Sequence, residues 1–181
     1  MNLYLVRHGE DLPGYRGGWA LYPLTQKGRR QISDLADYII ENGISFSYIV
    51  SSDLPRAKQS AEILAKKMHK KIIFDSDFRE YNNGDLAGMS NAEADKKYPG
   101  LYFNAVGMDD HFPHGESPRE YFLRISKAYE KIVAKGDDIL LITHGGVLDV
   151  INHLVHHLKW TNNSPYKKYY KNAELLSLHI K

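Results

Sequence analysis

A mainly parallel α/β sheet, covered by helices on both faces, is the architecture this sequence predicts. Three observations carry it. Short apolar runs without polar alternation read as strands buried on both faces. Amphipathic stretches long enough for helices separate those runs, and glycine, proline or capping residues stand where one gives way to the next.

Taken in order, the run over 3–6 (Leu3, Tyr4, Leu5, Val6) predicts a buried strand. A helical pattern follows over 27–41, with Gly43 placed to end it. A strand over 48–50 precedes a helix over 55–68, which Asp53 is expected to cap, with Pro55 in its first turn. A third strand is predicted over 72–74. The stretch from about 81 to 117 is the least regular, rich in Gly, Asn and Asp, with one short helical pattern over 90–97. It predicts an excursion over one end of the sheet, of the kind that shapes a substrate site. Ser117-Pro118-Arg119-Glu120 is a capping box with proline at the first helical position, opening a helix over 118–134 that Gly136 ends. A strand over 139–143, a helix over 147–157 and a weaker strand over 175–180 complete the chain.

At 181 residues, one domain over 1–181 is expected. A hydrophobic content of 43% with 25% charged residues is ordinary for a globular chain. The net charge of +2 gives no broad basic field, so no nucleic-acid partner is expected. The absence of cysteine removes disulfides, thiol nucleophiles and thiolate metal sites together. The first strand starts too early to leave room for a signal peptide, and no apolar run is long enough to span a membrane. The expectation is a cytoplasmic protein with no membrane partner, whose oligomeric state the sequence leaves open.

Chemistry gathers at strand ends. The first strand runs into Arg7-His8-Gly9, and the fourth into His144-Gly145-Gly146. In an open α/β sheet, ligands bind beyond the carboxyl ends of parallel strands, so two strand-terminal histidines would meet there if their strands are neighbours. A third piece, Ser51-Ser52-Asp53-Leu54-Pro55-Arg56-Ala57, ends a strand and puts Arg56 in a helix's first turn. A cation is unfavourable at that end of the macrodipole unless it shares an anion with the helix. Phosphate, held by guanidinium forks, is the usual such anion. Singly, each motif has a plain structural role as a turn histidine, a surface ion pair or a solvated helix residue. Their concurrence at three strand ends points to a phosphate site.

Competing chemistries fit less well. A divalent metal would have the fixed cation Arg7 beside its His8 ligand. His153 and His157 have helical ligand spacing, but they lack a carboxylate-rich companion motif and lie near a helix end, where histidine is ordinarily favourable. No Gly-x-Ser-x-Gly elbow supports a serine nucleophile. The basic, tyrosine-rich run from Tyr166 to Lys171 reads as a solvated approach to the last strand.

These motifs resemble those of the histidine phosphatase superfamily, also called phosphoglycerate mutase-like. Arg7-His8-Gly9-Glu10 resembles its Arg-His-Gly signature, and Pro23-Leu24-Thr25-Gln26-Lys27-Gly28 its entry to the first helix. The block from Ser51 to Ala57, Arg79-Glu80 with Gly84 and Gly88, Gly115-Glu116-Ser117, and Thr143-His144-Gly145-Gly146 follow in family order. Three positions depart from the pattern: Asp11 where threonine is common, Gly14 where an asparagine helps hold phosphate, and Asp149 where an arginine is common.

The resemblance implies a three-layer α/β/α fold with a mixed, mostly parallel central sheet. It also implies phosphoryl transfer to His8, with Arg7, Arg56 and His144 neutralising the transferring oxygens and Glu80 as acid and base. No metal or cofactor is implied, and the partner is a small phosphorylated substrate. The mutases it resembles have a longer insertion and an arginine-rich, Glu-Arg-His-Tyr-type segment. Arg79-Glu80-Tyr81-Asn82-Asn83 stands at the corresponding place here, so a phosphatase is the preferred reading. A mutase-type transferase is the alternative, followed by a non-catalytic phospho-ligand binding module. Tyr15, Trp19, Tyr22, Tyr81, Phe103 and Phe112 are read first as packing and second as substrate surface.

Overall fold

The structure, a computed structural model, describes residues 1–165 and 167–180. A five-stranded sheet has the order β3-β2-β4-β1-β5, with β1 (Asn2–Arg7), β2 (Tyr48–Ser51), β3 (Ile72–Phe74), β4 (Ile139–Thr143) and β5 (Leu175–His179). The first four run parallel, and β5 pairs antiparallel with β1. Helices α1 (Gln26–Glu41) and α2 (Pro55–Met68) pack on one face. On the other lie α3 (Asn91–Lys97), α4 (Pro118–Val133) and α5 (Gly145–Val155). The result is three layers with a mixed, mostly parallel sheet.

Two hydrophobic cores follow from the two-residue period of the strands. Leu3, Leu5, Ile139 and Leu141 point into the core beneath α4 and α5, while Val6, Leu140 and Ile142 point toward α1 and α2. All five residues of β4 are buried, as a central strand covered on both sides requires. The strand over 72–74 departs from the reading of a buried run. It lies at the sheet edge, paired only with β2, and leaves Ile73 and Phe74 exposed.

Most helix boundaries match the sequence, because caps and glycines set them. Ser117 and Glu120 close the reciprocal capping box of α4, and Gly43 and Gly136 take φ values of +63° and +72° just past their helices. Two boundaries need correction. Leu54, not Asp53, is the N-cap of α2, and it makes no side-chain cap. Asp53 instead forms a bidentate pair with Arg79, both contacts at 2.6 Å. Helix α5 begins two residues earlier than expected, at Gly145, and ends at Val155, beyond which His157 takes a left-handed φ of 53°.

Two glycines from separate motifs share one close contact. A Cβ on Gly9 would run into the carbonyl of Gly28, and a Cβ on Gly28 into the backbone of Glu10. The loop after β1 thus lies directly against the first turn of α1. Glu10 strengthens the contact by accepting from Lys27 and from the Thr25 hydroxyl. Alanine is the better helix former by up to about 1 kcal/mol. Gly28→Ala should nevertheless destabilise the protein, by about 1–3 kcal/mol, because backbone rather than a flexible side chain blocks the new methyl. Denaturant unfolding measures it, and a gain in stability would remove the close contact from the account.

Candidate active site

The register of the sheet assembles the site. Arg7 pairs with Thr143 across β1 and β4, so the residues that follow, His8 and His144, emerge side by side with ring centroids 5.0 Å apart. Strand β2 flanks β4 on its other side and delivers Ser52, whose hydroxyl meets His144 Nε2 at 2.9 Å. Helix α2 starts just beyond and brings in Arg56. Three neighbouring parallel strands therefore end at one place.

His8 is held in one tautomer. Its Nδ1 lies 2.7 Å from the Gly9 carbonyl, which can only accept, so Nδ1 donates. Its Nε2 lies 3.2 Å from Arg56 Nε, which can only donate, so Nε2 presents its lone pair. Burial, then Arg56 and Arg7, push His8 well below the ordinary histidine range, against the weaker opposing effect of the Gly9 bond. His144 is pushed down for the same reasons: burial first, then Arg56 and His8 itself. Both imidazoles are neutral at pH 7.

Arg56 is only 2% exposed. Nη1 and Nη2 donate to the carbonyls of Ala20 and Gly18, pinning the loop that leads from His8 to α1. Asp11 approaches its Nε at 3.4 Å, and Glu80 also acts electrostatically on the guanidinium. Arg7 donates to the carbonyl of Tyr170 at 2.5 Å and lies under the Tyr169 ring. Among the described residues, Arg7 Nε, Arg16 Nε and His144 Nδ1 are buried without a protein partner. Arg7 and His144 belong to this cluster.

Glu80 stands beside it. One carboxylate oxygen accepts from the Tyr121 hydroxyl (2.7 Å) and the Tyr81 amide (3.1 Å), the other from Gly146 in the first turn of α5 (3.1 Å). A side chain at Gly146 would meet Glu80 and Tyr121 within 2.7 Å, so glycine there gives the carboxylate its seat. Arg124 fixes the backbone behind it by donating to the carbonyls of Asp77, Arg79 and Glu80 while forking Glu116. Arg7, Glu80, Gly145 and Gly146 line one part of a cavity of about 340 Å³, whose remaining wall is mainly apolar.

All five residues selected from the sequence, Arg7, His8, Arg56, Glu80 and His144, therefore gather at this end of the sheet. Ser52, Tyr121 and Arg124 were missed. Tyr121 and Arg124 occupy α4, where a helical period reads Tyr121 as core, and Ser52 reads as strand-end filler. Of the six aromatic residues considered, Tyr81, Phe103 and Phe112 line the cavity. Tyr15 and Tyr22 pack edge to face at 5.3 Å, and Trp19 lies under Arg79. Among the described residues, no group of three histidine or acidic side chains is placed to hold a metal ion. His153 bonds Ser164 and the Asp149 carbonyl. No helix of the described residues is long and apolar enough to cross a membrane. Of the Tyr166–Lys171 run, Tyr166 lies outside the described residues.

Residues 3–181 match the family described as the histidine phosphatase superfamily (branch 1). A probable phosphoglycerate mutase GpmB from Escherichia coli is 36% identical over 153 residues, which cover 80% of this chain and 70% of that one. An alpha-ribazole phosphatase from Shigella flexneri superposes with a TM-score of 0.87 at 21% identity, over 100% of this chain and 91% of that one. A mycobacterial glucosyl-3-phosphoglycerate phosphatase, in complex with inorganic phosphate, gives 0.82 at 25% identity, over 98% and 89%.

The two neutral histidines set a pH dependence of stability. Their folded pKa values lie below the unfolded value of about 6.5, so below that pH the unfolded chain binds more protons than the folded one. Stability is therefore full above about pH 7 and falls as the solution is acidified, by about 1.4 kcal/mol per pH unit for each histidine. Unfolding followed from pH 7.5 to 5 should show this slope, and replacing both His8 and His144 by glutamine should remove most of it. An unchanged slope in the double variant would place the titration elsewhere.

Proposed function

The chain belongs to the histidine phosphatase superfamily (branch 1), and within it we propose a metal-independent phosphomonoesterase that works through a phosphohistidine on His8. The observation that carries the reading is the fixed tautomer of His8: a neutral imidazole with its Nε2 lone pair turned to the buried Arg56. As a phosphoryl group enters, the Arg56 N–H passes to a phosphoryl oxygen and frees that lone pair. Nε2 attacks phosphorus, the N–P bond forms, and the bond to the leaving oxygen breaks. Arg7, Arg56 and His144 carry the equatorial oxygens' charge, supplying by preorganised donors what a metal supplies elsewhere. If the Ser52 hydroxyl donates to His144 Nε2, the proton of His144 stands on Nδ1, the atom without a protein partner. A proton carried in by the substrate monoanion passes through Glu80 to the leaving oxygen, and Glu80 then takes one from the water that attacks the phosphohistidine and releases phosphate.

Hydrolysis is favoured over mutase chemistry by what surrounds the seat. The cavity wall is mainly apolar, and nearby arginines are committed: Arg16 to Asp95, Arg79 to Asp53, Arg124 to Glu116. The mycobacterial relative named as a phosphatase supports the same reading. A phosphoglycerate mutase is the second reading, favoured by the 36% identical relative's name and by Lys167 and Lys168 on the cavity wall. A panel of phosphomonoesters, assayed with excess chelator for phosphate release and for interconversion of phosphoglycerates, separates the two. Release without interconversion is expected. Loss of activity to the chelator, restored by a divalent ion, would overturn the mechanism.

Rapid quench should trap phosphate on His8, acid-labile and alkali-stable, and His8→Ala should abolish labelling and turnover together. Glu80→Gln should slow alkyl phosphate hydrolysis by about 100- to 10,000-fold. Single-turnover release of nitrophenol from p-nitrophenyl phosphate should suffer far less, since nitrophenolate leaves without a proton. Equal losses on both substrates would make Glu80 structural.

A further inference from the structure

One carboxylate in the cluster has no part in the steps above. Asp11 lies on the loop after β1, its side chain 22% exposed, with Oδ2 3.4 Å from Arg56 Nε. That N–H is the one directed at His8 Nε2. Asp11 thus borders the guanidinium edge that a phosphoryl group would occupy, next to the attacking nitrogen. It is loosely held there. Charge-assisted N–H···O contacts are about 2.7–2.9 Å, and the structural pairs of this protein, Arg79 with Asp53 and Arg124 with Glu116, close to 2.6 Å. At 3.4 Å, on a donor already shared with His8, Asp11 is a neighbour of the seat rather than a locked partner of Arg56.

Two ionised groups on one such edge repel, and the cheaper response is for one of them to take a proton. We propose that Asp11 takes up one proton from solvent when a dianionic oxyanion enters the Arg56 seat, and then donates its O–H to an oxygen of that anion. In that form it is a neutral donor, as a hydroxyl would be. This rests on the phosphate-seat reading above. The charged groups acting on Asp11 are Arg56 from α2, Arg7 at the end of β1, and Glu10 beside it; neutral His8 shares the Arg56 Nε. Burial pushes Asp11 above the usual aspartate range, Glu10 adds to this, and the two arginines oppose it. A bound dianion acts in the same direction as burial and Glu10. Asp11 is therefore a ligand-contacting residue that makes the site take its anion together with a proton.

Inorganic sulfate tests this without requiring turnover, because it stays a dianion between about pH 5.5 and 8.5, so any proton taken up belongs to the protein. Sulfate affinity of the wild-type protein should fall as the pH rises within that range, by up to about tenfold per pH unit. Asp11→Asn, an uncharged donor, should hold its affinity nearly flat and bind more tightly than wild type at the alkaline end. Calorimetry in two buffers of different ionisation enthalpy should show the wild type taking up close to one proton more than the variant. Asp11→Ser provides the same comparison if the asparagine variant does not fold. Parallel slopes in wild type and variant would assign the proton to the histidines and overturn the proposal, as would flat profiles in both. Absence of sulfate binding in either protein would overturn the anion seat itself, whereas coinciding slopes with phosphatase activity intact would overturn Asp11 alone.

Discussion

A guanidinium buried to 2% exposure, with its Nε on an imidazole nitrogen, is the contact around which this molecule is arranged. Burying a charge is costly unless every donor finds a partner. Arg56 offsets part of that cost with the carbonyls of Gly18 and Ala20 and the lone pair of His8, and Asp11 lies near the same Nε. Those contacts tie helix α2, the loop after β1 and the end of β1 into one unit. Burial first, and then the same cation, act against protonation of both histidines, so one residue shapes the cluster and adds to what sets its charge state.

The scaffold explains how such a contact is kept in place. Parallel strands β2, β4 and β1 are adjacent, so their carboxyl ends deliver Ser52, His144 and His8 within one ladder's width. The close approach of Gly9 and Gly28 sets the loop after His8 against α1, and Arg56 fixes the far part of that loop. On the opposite side, Arg124 holds the backbone at Glu80 while Tyr121 and Gly146 hold its carboxylate. His8 and the Glu80 carboxylate thus rest on separate layers that meet above the sheet. Packing of either layer sets their relative position.

Much of this was legible in the sequence, for identifiable reasons. Unbroken apolar runs identified β1, β2 and β4 as buried strands, and capping chemistry placed α4 to within a residue at each end. The edge strand β3 was misread because three apolar residues look alike whether a neighbour covers them or solvent does. Asp53 was misread because an aspartate before a proline fits a cap, and only the fold brings Arg79 within reach as a better partner. The departures Asp11 and Asp149 could be named but not interpreted. Asp149 proves to be a strut, accepting from the Trp160 indole and the Lys168 amide and so anchoring one wall of the cavity.

By itself the sequence determined the order of strands and helices, their main boundaries, and the residues that gather at the strand ends. Local periodicity, caps and strand-end motifs act over a few residues and survive reading in one dimension. Tertiary structure decided which strands are neighbours, and so that His8 and His144 meet 5.0 Å apart. It also decided the tautomer of His8, the supports of Glu80, and the approach of Asp11 to Arg56, 45 positions along the chain from it. Each of these depends on distances set by the strand register and on burial that two packed layers create. Neither quantity exists until the chain has folded.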